Sequence, residues 1–188
     1  MKNNISIIGG GIGGLVTALS FDKLNISYKL YERAAQLEAI GAGIWLSPKA
    51  MQVLEWINPM LLKEIQDAGN SFNRILVADH KLNPISDSYQ GFVREKFGYT
   101  TMAIHRGKLQ QILYKYVQRD NIELNKNFTG YSQNSDKSLR VKFTDSSFID
   151  TGSIIGADGI NSKVRKQLFP NSKLRYSGQT CWRGVSDY

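Results

Sequence analysis

The sequence predicts an α/β fold in which a parallel sheet forms the framework and a small antiparallel sheet is added. The parallel sheet is predicted by an apolar run at residues 5–8, a glycine turn followed by a helical pattern, and a second apolar run at residues 27–31. Because a helix crosses between the two runs, the two strands are expected to be parallel. The antiparallel sheet is predicted by alternating segments at residues 128–132 and 139–143, which a polar turn joins.

The turn after the first strand contains the run Gly9-Gly10-Gly11-Ile12-Gly13-Gly14. In a G-x-G-x-x-G turn the first glycine (Gly9) permits the tight turn, and the second (Gly11) lets the main chain approach a pyrophosphate. The last (Gly14) lets the helix pack on the strand. Glu32 ends the second strand, and its carboxylate can accept hydrogen bonds from ribose hydroxyls. This order predicts a dinucleotide site and leaves NAD and FAD open; a glycine-rich turn without a ligand is the alternative.

The helices are predicted from start signals and from the spacing of apolar residues. Ser47-Pro48 and Asn58-Pro59 mark two starts, because the polar side chain can cap the helix and proline suits its first turn. Ser162 is expected to cap the last helix. The predicted helices span residues 12–24, 48–57, 60–68, 106–118 and 163–168.

The remaining strands are predicted between turn signals. Residues 72–78 and parts of 89–97 suit strands, and Pro84 with its polar neighbours is expected in a turn between them. The segment over Gly41–Trp45 is expected to be a loop, because its glycines break any helix. Shorter strands are predicted at residues 122–124, 148–149 and 154–155.

Composition describes an ordinary globular protein, with 41% hydrophobic and 21% charged residues. The one cysteine, Cys181, allows no internal disulfide, and no apolar run approaches the length of a membrane span, so a cytoplasmic location is predicted. The net charge is +8, and residues 163–183 carry bases without any acid. Attraction of an anionic cofactor and a solvated basic face both remain open for this stretch. Nucleic-acid binding is disfavoured because no recognition motif accompanies the charge.

Three segments occur together in one order: the glycine turn with Glu32-Arg33, the stretch Ile-His-Arg-Gly-Lys-Leu at residues 104–109, and residues 155–165. The last segment contains Ala-Asp-Gly-x-x-Ser-x-x-Arg, the most specific of the three. The set resembles the single-component FAD-dependent aromatic hydroxylases, which include salicylate, para-hydroxybenzoate and urate hydroxylases. Tyr176-Ser177-Gly178 and Trp182-Arg183-Gly184 are similar to that family's entry into its substrate domain.

The resemblance implies that four glycines cradle the FAD pyrophosphate: Gly9, Gly11, Gly13 and Gly14. It implies that Glu32 holds the adenosine ribose, that Arg33 lies beside the adenine end and that Phe128 offers main-chain groups to the adenine. For Arg33 a surface role is the alternative, and for Phe128 a place in the core.

The resemblance places three further residues near the cofactor. Trp45 would contribute mainly main-chain groups on the flavin side, and Arg106 would reach the pyrophosphate or ribityl chain. Asp158 would lie near the phosphates and the path of the nicotinamide. The alternatives are packing for Trp45, pairing with a nearby acid for Arg106 and an ordinary turn for Asp158.

The activity that the resemblance implies is hydroxylation of a small aromatic ring with FAD, O₂ and NADH or NADPH as co-substrate. Because the flavin performs the difficult step, no catalytic acid–base residue is assigned, and no metal-ligand set is predicted. Two alternatives remain: another FAD-dependent oxidoreductase, or a non-catalytic nucleotide-binding fragment.

Family members are about twice as long as this chain, so the chain resembles their amino-terminal half. A Rossmann-like FAD-binding domain is expected over residues 1–170, with inserted strands at about 72–100. The start of a truncated substrate domain is expected over residues 171–188. The expected partners are the aromatic substrate and the missing carboxy-terminal half; no nucleic-acid or membrane partner is expected, and a homo-oligomer is left open.

Overall fold

A computed structural model describes residues 4–37 and 41–180. Contacts among these residues divide the chain into two compact units. The first unit is built from described residues within Met1–Glu38 and Leu113–Trp182, and the second from those within Ala39–Ile112. Cys181 and the Trp182-Arg183-Gly184 segment lie outside the described residues.

The elements follow one another in a mixed order of strands and helices. In chain order they are β1 (Ile5–Ile8), α1 (Ile12–Leu24), β2 (Tyr28–Tyr31), β3 (Gly43–Leu46), α2 (Pro48–Ile57), α3 (Pro59–Asp67), β4 (Asn70–Ser71), β5 (Arg74–Ala78), β6 (Pro84–Tyr89), α4 (Gly91–Phe97), β7 (Met102–His105), α5 (Arg106–Tyr116), β8 (Ile122–Glu123), β9 (Phe128–Gln133), β10 (Leu139–Phe143), β11 (Phe148–Thr151), β12 (Ser153–Gly156) and α6 (Lys163–Leu168).

The first unit contains the predicted parallel sheet, with the strand order β12-β1-β2-β8. Strand β1 pairs in parallel with β2 on one side and with β12 on the other. Ile7 lies opposite Leu30 and Ile155, and both Ile7 and Leu30 are fully buried. Because Gly9 directly follows Ile8, the glycine turn lies at the carboxyl end of this buried inner strand.

The predicted antiparallel sheet is also present in the first unit, with the order β11-β10-β9. One face of it packs into a core cluster made of Ile8, Tyr31, Phe128, Val141, Phe143 and Val164. The rings of Tyr31 and Phe143 lie 5.1 Å apart, centroid to centroid. The cluster therefore joins the parallel sheet, the antiparallel sheet and α6 around one core.

The second unit contains an antiparallel sheet of order β3-β7-β4 and a separate two-stranded hairpin, β5-β6. Both predicted proline-led helices are present: Ser47 accepts from the main-chain N–H of Ala50, and Asn58 accepts from those of Met60 and Leu61. Their apolar faces are buried. The side-chain caps therefore account for the boundary between these helices.

Three local predictions in the second unit differ from the structure. Residues 91–97 form helix α4 rather than a strand, and Pro84 is the first residue of strand β6 rather than part of a turn. Proline is tolerated at a strand's first position because its missing N–H costs little at an edge. The segment over Gly41–Trp45, predicted as a loop, becomes strand β3 from Gly43 onward, because it pairs with β7.

No helix in the described part of the chain is both long enough and apolar enough to cross a bilayer.

Candidate functional site

The glycine turn is packed so tightly that two of its positions admit only glycine. Gly9 has φ +111°, and a Cβ built there would lie 2.5 Å from the carbonyl oxygen of Ala157. A Cβ on Gly14 would lie 1.8 Å from the carbonyl oxygen of Gly9. The main-chain N–H of Ala157 donates to Ile8 O over 2.8 Å. The turn and the Ala157-Asp158-Gly159 segment, which are far apart in sequence, are therefore in direct contact.

The start of helix α1 is open, in contrast to the packed turn before it. Gly11 is the N-cap, in an extended conformation, and no side chain caps the helix there. The first turn, all of it described, contains no acidic residue. Among the described residues, no atom outside the local chain lies within 4 Å of a Cβ built on Gly11 or Gly13. The first N–H groups of a helix and its dipole favour an anion at such a position.

Glu32 lies beside this turn, at the end of β2. Its Oε2 accepts from the main-chain N–H of Gly10 over 2.5 Å, and its Oε1 accepts from that of Ala34 over 2.9 Å. Each carboxylate oxygen has a second lone pair, so the group can still accept from a hydroxyl. Next to it, burial raises the pKa of Tyr31 to about 12, and the charge of Glu123 adds to this shift.

Asp158 uses its carboxylate to hold the start of helix α6. Its Oδ2 accepts from the main-chain N–H groups of Lys163 (2.7 Å) and Val164 (3.3 Å), and its Oδ1 accepts from the Ser162 hydroxyl (2.5 Å). The Ser162 oxygen in turn accepts from the N–H of Arg165, the cap that the sequence predicts. Much of the Asp-Gly-x-x-Ser-x-x-Arg spacing is thus explained by helix capping.

Phe128 begins strand β9, and its side chain is buried in the core cluster. Its carbonyl oxygen accepts from Lys163 Nζ over 3.0 Å. One turn along α6, the Gln167 amide donates to Tyr131 O (2.5 Å) and accepts from Tyr131 N–H (3.0 Å). The sequence did not predict the roles of Lys163 and Gln167. Their i, i+4 spacing indicates that both lie on one face of α6, but it does not indicate which strand they bond.

The other three predicted residues are exposed. Arg33 follows Glu32 in the first unit. Trp45 and Arg106 belong to the second unit, where the Trp45 ring contacts Phe72 edge-on at 5.3 Å and is 60% exposed. Arg106 begins α5, and its side chain lies against Gly41, at 3.3 Å from a Cβ built there. The cofactor roles of all ten predicted residues remain predictions.

No family model matches the chain. The aurachin C monooxygenase/isomerase of Stigmatella aurantiaca is 32% identical over 189 residues, a match that covers 100% of this chain and 49% of that protein. A salicylate hydroxylase of Sarocladium schorii is 29% identical, with coverages of 96% and 41%. The chain thus spans about half, or less, of the length of the curated relatives it matches.

The fold is also shared with solved structures. Klebsiella pneumoniae HpxO, crystallised with FAD and uric acid, has a TM-score of 0.75 to this chain at 24% identity, and the match covers 87% of this chain and 42% of that one. At this identity the likeness shows the fold. The resemblance predicted from the sequence is confirmed by these matches. The homologues and structural neighbours of this chain are FAD-dependent monooxygenases of the aromatic hydroxylase type, and the chain corresponds to about half of such a protein, consistent with its amino-terminal half.

Proposed function

We propose that this chain is the FAD-binding part of a flavin-dependent monooxygenase that hydroxylates an aromatic or similar small ring with NADH or NADPH and O₂. The observation that carries the proposal is the uncapped start of α1, which faces open space at Gly11 and Gly13 and follows a rigidly packed turn. The HpxO complex, which contains FAD, supplies the identity of the ligand.

The described residues fit a pyrophosphate at this position. Gly9 and Gly14 would hold the main chain in shape, while Gly11 and Gly13 would leave room for the phosphates near the helix N–H groups. Glu32, already fixed by the N–H of Gly10, would accept from the adenosine ribose. A negative group would meet no like charge in the first turn of α1.

The remaining assignments belong to the same proposal and rest on the family resemblance. Arg33 and the Phe128 main chain are proposed for the adenine end, and Trp45 and Arg106 for the flavin side and the phosphates. Asp158 is proposed to act by holding the turn against Gly9, since its carboxylate is bonded to the start of α6. When bound, FAD supplies the activation of O₂ for transfer of one oxygen atom to the ring. The chain's own residues bind and orient the cofactor.

Substrate turnover is proposed for the longer protein, because the chain spans less than half of the length of its relatives. The proposed domain division places an FAD domain over residues 1–170 and the start of a substrate domain at residue 171. The proposed substrate of the longer protein is a small aromatic compound. A cytoplasmic location and the choice of oligomer remain predictions. The same length difference favours a second candidate, a nucleotide-binding fragment without activity of its own. FAD binding without substrate-dependent NADPH oxidation is the expected behaviour of the 188-residue chain.

The test is the substitution Gly11→Asp. Asp is a favoured N-cap, and Gly11 has φ −71° and free space, so this variant is expected to keep or gain thermal stability. Its carboxylate would repel the cofactor phosphates, so FAD affinity is expected to fall more than about tenfold. Flavin fluorescence titration and thermal unfolding measure the two effects, with Gly11→Asn as the uncharged control of similar size.

A wild-type chain that does not bind FAD, or a Gly11→Asp variant that binds it as tightly as wild type, would contradict the proposal. Equal losses for Gly11→Asp and Gly11→Asn would assign the effect to size rather than to charge, which would keep the ligand at Gly11 and contradict a negative group there.

A further inference from the structure

We propose that Lys163 is a positioning residue of the nucleotide site, which ties the Asp158 turn to the start of strand β9. This inference rests on the proposed FAD site and adds to it a residue that makes no contact with the ligand. Neither the sequence motif nor the comparisons assign a role to Lys163.

The two ends of Lys163 bond to two different predicted cofactor residues. Its main-chain N–H donates to Asp158 Oδ2 over 2.7 Å, while its Nζ donates to Phe128 O over 3.0 Å. The side chain therefore spans the distance between the turn before α6 and the first residue of β9. A charged donor to a carbonyl is among the stronger hydrogen bonds, and this one is partly buried.

The connection extends to the glycine turn. A Cβ on Gly9 would lie 3.0 Å from the Cα of Asp158, so the turn and the Asp158 segment pack without a gap. Contacts therefore run without interruption from Gly9 through Asp158 and Lys163 to Phe128. A shift at either end of Lys163 would change the spacing between the proposed pyrophosphate and adenine positions.

Gln167 reinforces the same attachment one turn later. Residues four apart lie on one face of a helix, so Lys163 and Gln167 both face β9. Gln167 bonds both main-chain groups of Tyr131, three positions along the strand. Helix α6 is thus fastened to β9 at two points, and Lys163 holds the point at which Phe128 is proposed to meet the adenine.

Direct contact of Lys163 with a cofactor phosphate is the competing role, and the dependence on salt separates the two. A direct ion pair with an exposed phosphate weakens as salt rises, so its loss would matter less at high ionic strength. A positional effect acts through internal hydrogen bonds and is expected to be the same at about 50 mM and about 500 mM NaCl.

The experiment compares Lys163→Met, which keeps the stem and removes the donor, with Lys163→Arg, which keeps a charged donor. Lys166→Met is the matched control, because Lys166 is an exposed residue of the same helix and the change in charge is identical. Flavin fluorescence titration gives FAD affinity, competition gives ADP affinity, and amide hydrogen exchange reports residues 128–131 in the free protein.

Lys163→Met is expected to weaken FAD and ADP alike by about fivefold, which corresponds to ~1 kcal/mol. The loss should be independent of salt, and hydrogen exchange at residues 128–131 should accelerate. Lys163→Arg and Lys166→Met are expected to stay within about twofold of wild type.

Unchanged FAD affinity in Lys163→Met would overturn the positioning role while the proposed function stands. A loss that shrinks at high salt would assign Lys163 to the phosphates instead, and an equal loss in Lys166→Met would assign the effect to overall charge. A wild-type chain that binds neither FAD nor ADP would overturn the proposed function, and the positioning role with it.

Discussion

Strand β1 of the first unit and the β5-β6 hairpin of the second are held in different ways. In the first unit the central strand β1 pairs on both sides, and its residues from Ser6 to Ile8 are buried. In the second unit all six residues of β6 are exposed, and the hairpin that it forms with β5 pairs with no other strand in the described parts of the chain. Two-stranded hairpins are marginally stable in water. The glycine turn and Glu32 of the proposed site therefore adjoin strands that are buried and paired on both sides, unlike this hairpin.

The largest expected effect is at the glycine turn of the first unit. Gly14→Ala places a methyl group against main-chain atoms that cannot move aside, so it is expected to cost about 3 kcal/mol or more of the free energy of unfolding. Gly13→Ala, one position earlier, faces open space and is expected to stabilise helix α1 by up to about 1 kcal/mol. Denaturant unfolding measures both.

Gly98 gives the comparison in the second unit. It ends α4 with φ +77°, and a Cβ there would meet no described atom within 4 Å. Gly98→Ala is therefore expected to cost only the strain of the left-handed backbone, about 1 kcal/mol. A Gly14→Ala loss no larger than that of Gly98→Ala would mean that the turn yields, contrary to the rigid packing described for it.

An intermediate effect is expected from two valines in strands of opposite exposure. Val141 in β10 is 0% exposed, whereas Val77 in β5 is 50% exposed. Val141→Ala is expected to cost about 2 kcal/mol through lost burial and the cavity left behind, and Val77→Ala less than about 0.5 kcal/mol. Thermal and denaturant unfolding check the pair, and similar losses at the two sites would remove the contrast between the units.

The smallest effect is expected at two exposed aspartates. In the first unit the pKa of Asp145 is lowered to about 2, mainly by the hydrogen bond from Lys126 and then by those from Ser147. In the second unit the bond from Arg74 lowers the pKa of Asp87. Because both pKa values are depressed on folding, the stabilisation is present above about pH 4 and is lost as the pH falls, toward 2 in the case of Asp145.

Removing the neighbouring cation is expected to change the pKa values of the two aspartates to different extents. In Lys126→Met the Ser147 groups remain, so the pKa of Asp145 is expected to rise but to stay below 3.8. In Arg74→Met the only causes that lower the pKa of Asp87 are gone, and it is expected to reach 3.8 or above. Carboxyl NMR titration measures both, and a full return of Asp145 to 3.8 would show that the serine contacts are ineffective.

Most of the first unit could be predicted because local pattern and tertiary burial agree there. The apolar run of β1 forms the buried parallel strand predicted for it, and the glycine turn and Glu32 lie together at its carboxyl end. Ser162 was also predicted as a cap, because serine before a short helical pattern is a strong local signal.

Pro84 and residues 91–97 were mispredicted because exposure removes the signal. Strand β6 reads Pro-Ile-Ser-Asp-Ser-Tyr and has no buried face, so no alternation marks it. The sequence of helix α4 does carry one end signal: Arg94 and Lys96 lie in its last turn, and a glycine, Gly98, follows that turn.

Within the site, Lys163 could not be predicted, because it bonds a main-chain oxygen 35 positions away in sequence. Every residue type has the same main-chain carbonyl group, so the sequence does not indicate which residue accepts this bond. The Asp158 carboxylate was predicted beside the phosphates, and its bonds to the start of α6 could be read only from the structure.

The sheet order has a consequence for how this protein folds during synthesis. Strand β1 pairs with β12, whose partner residue Ser153 follows Ile5 by 148 positions (153 − 5). At ~5–20 residues per second, the ribosome needs about 7 to 30 s to supply that partner. Throughout that interval at least one edge of β1 is unpaired, and residues 39–112 are made before Ser153 becomes available. Nascent chains halted before residue 153 are therefore the species in which β1 is most exposed to aggregation and to chaperones.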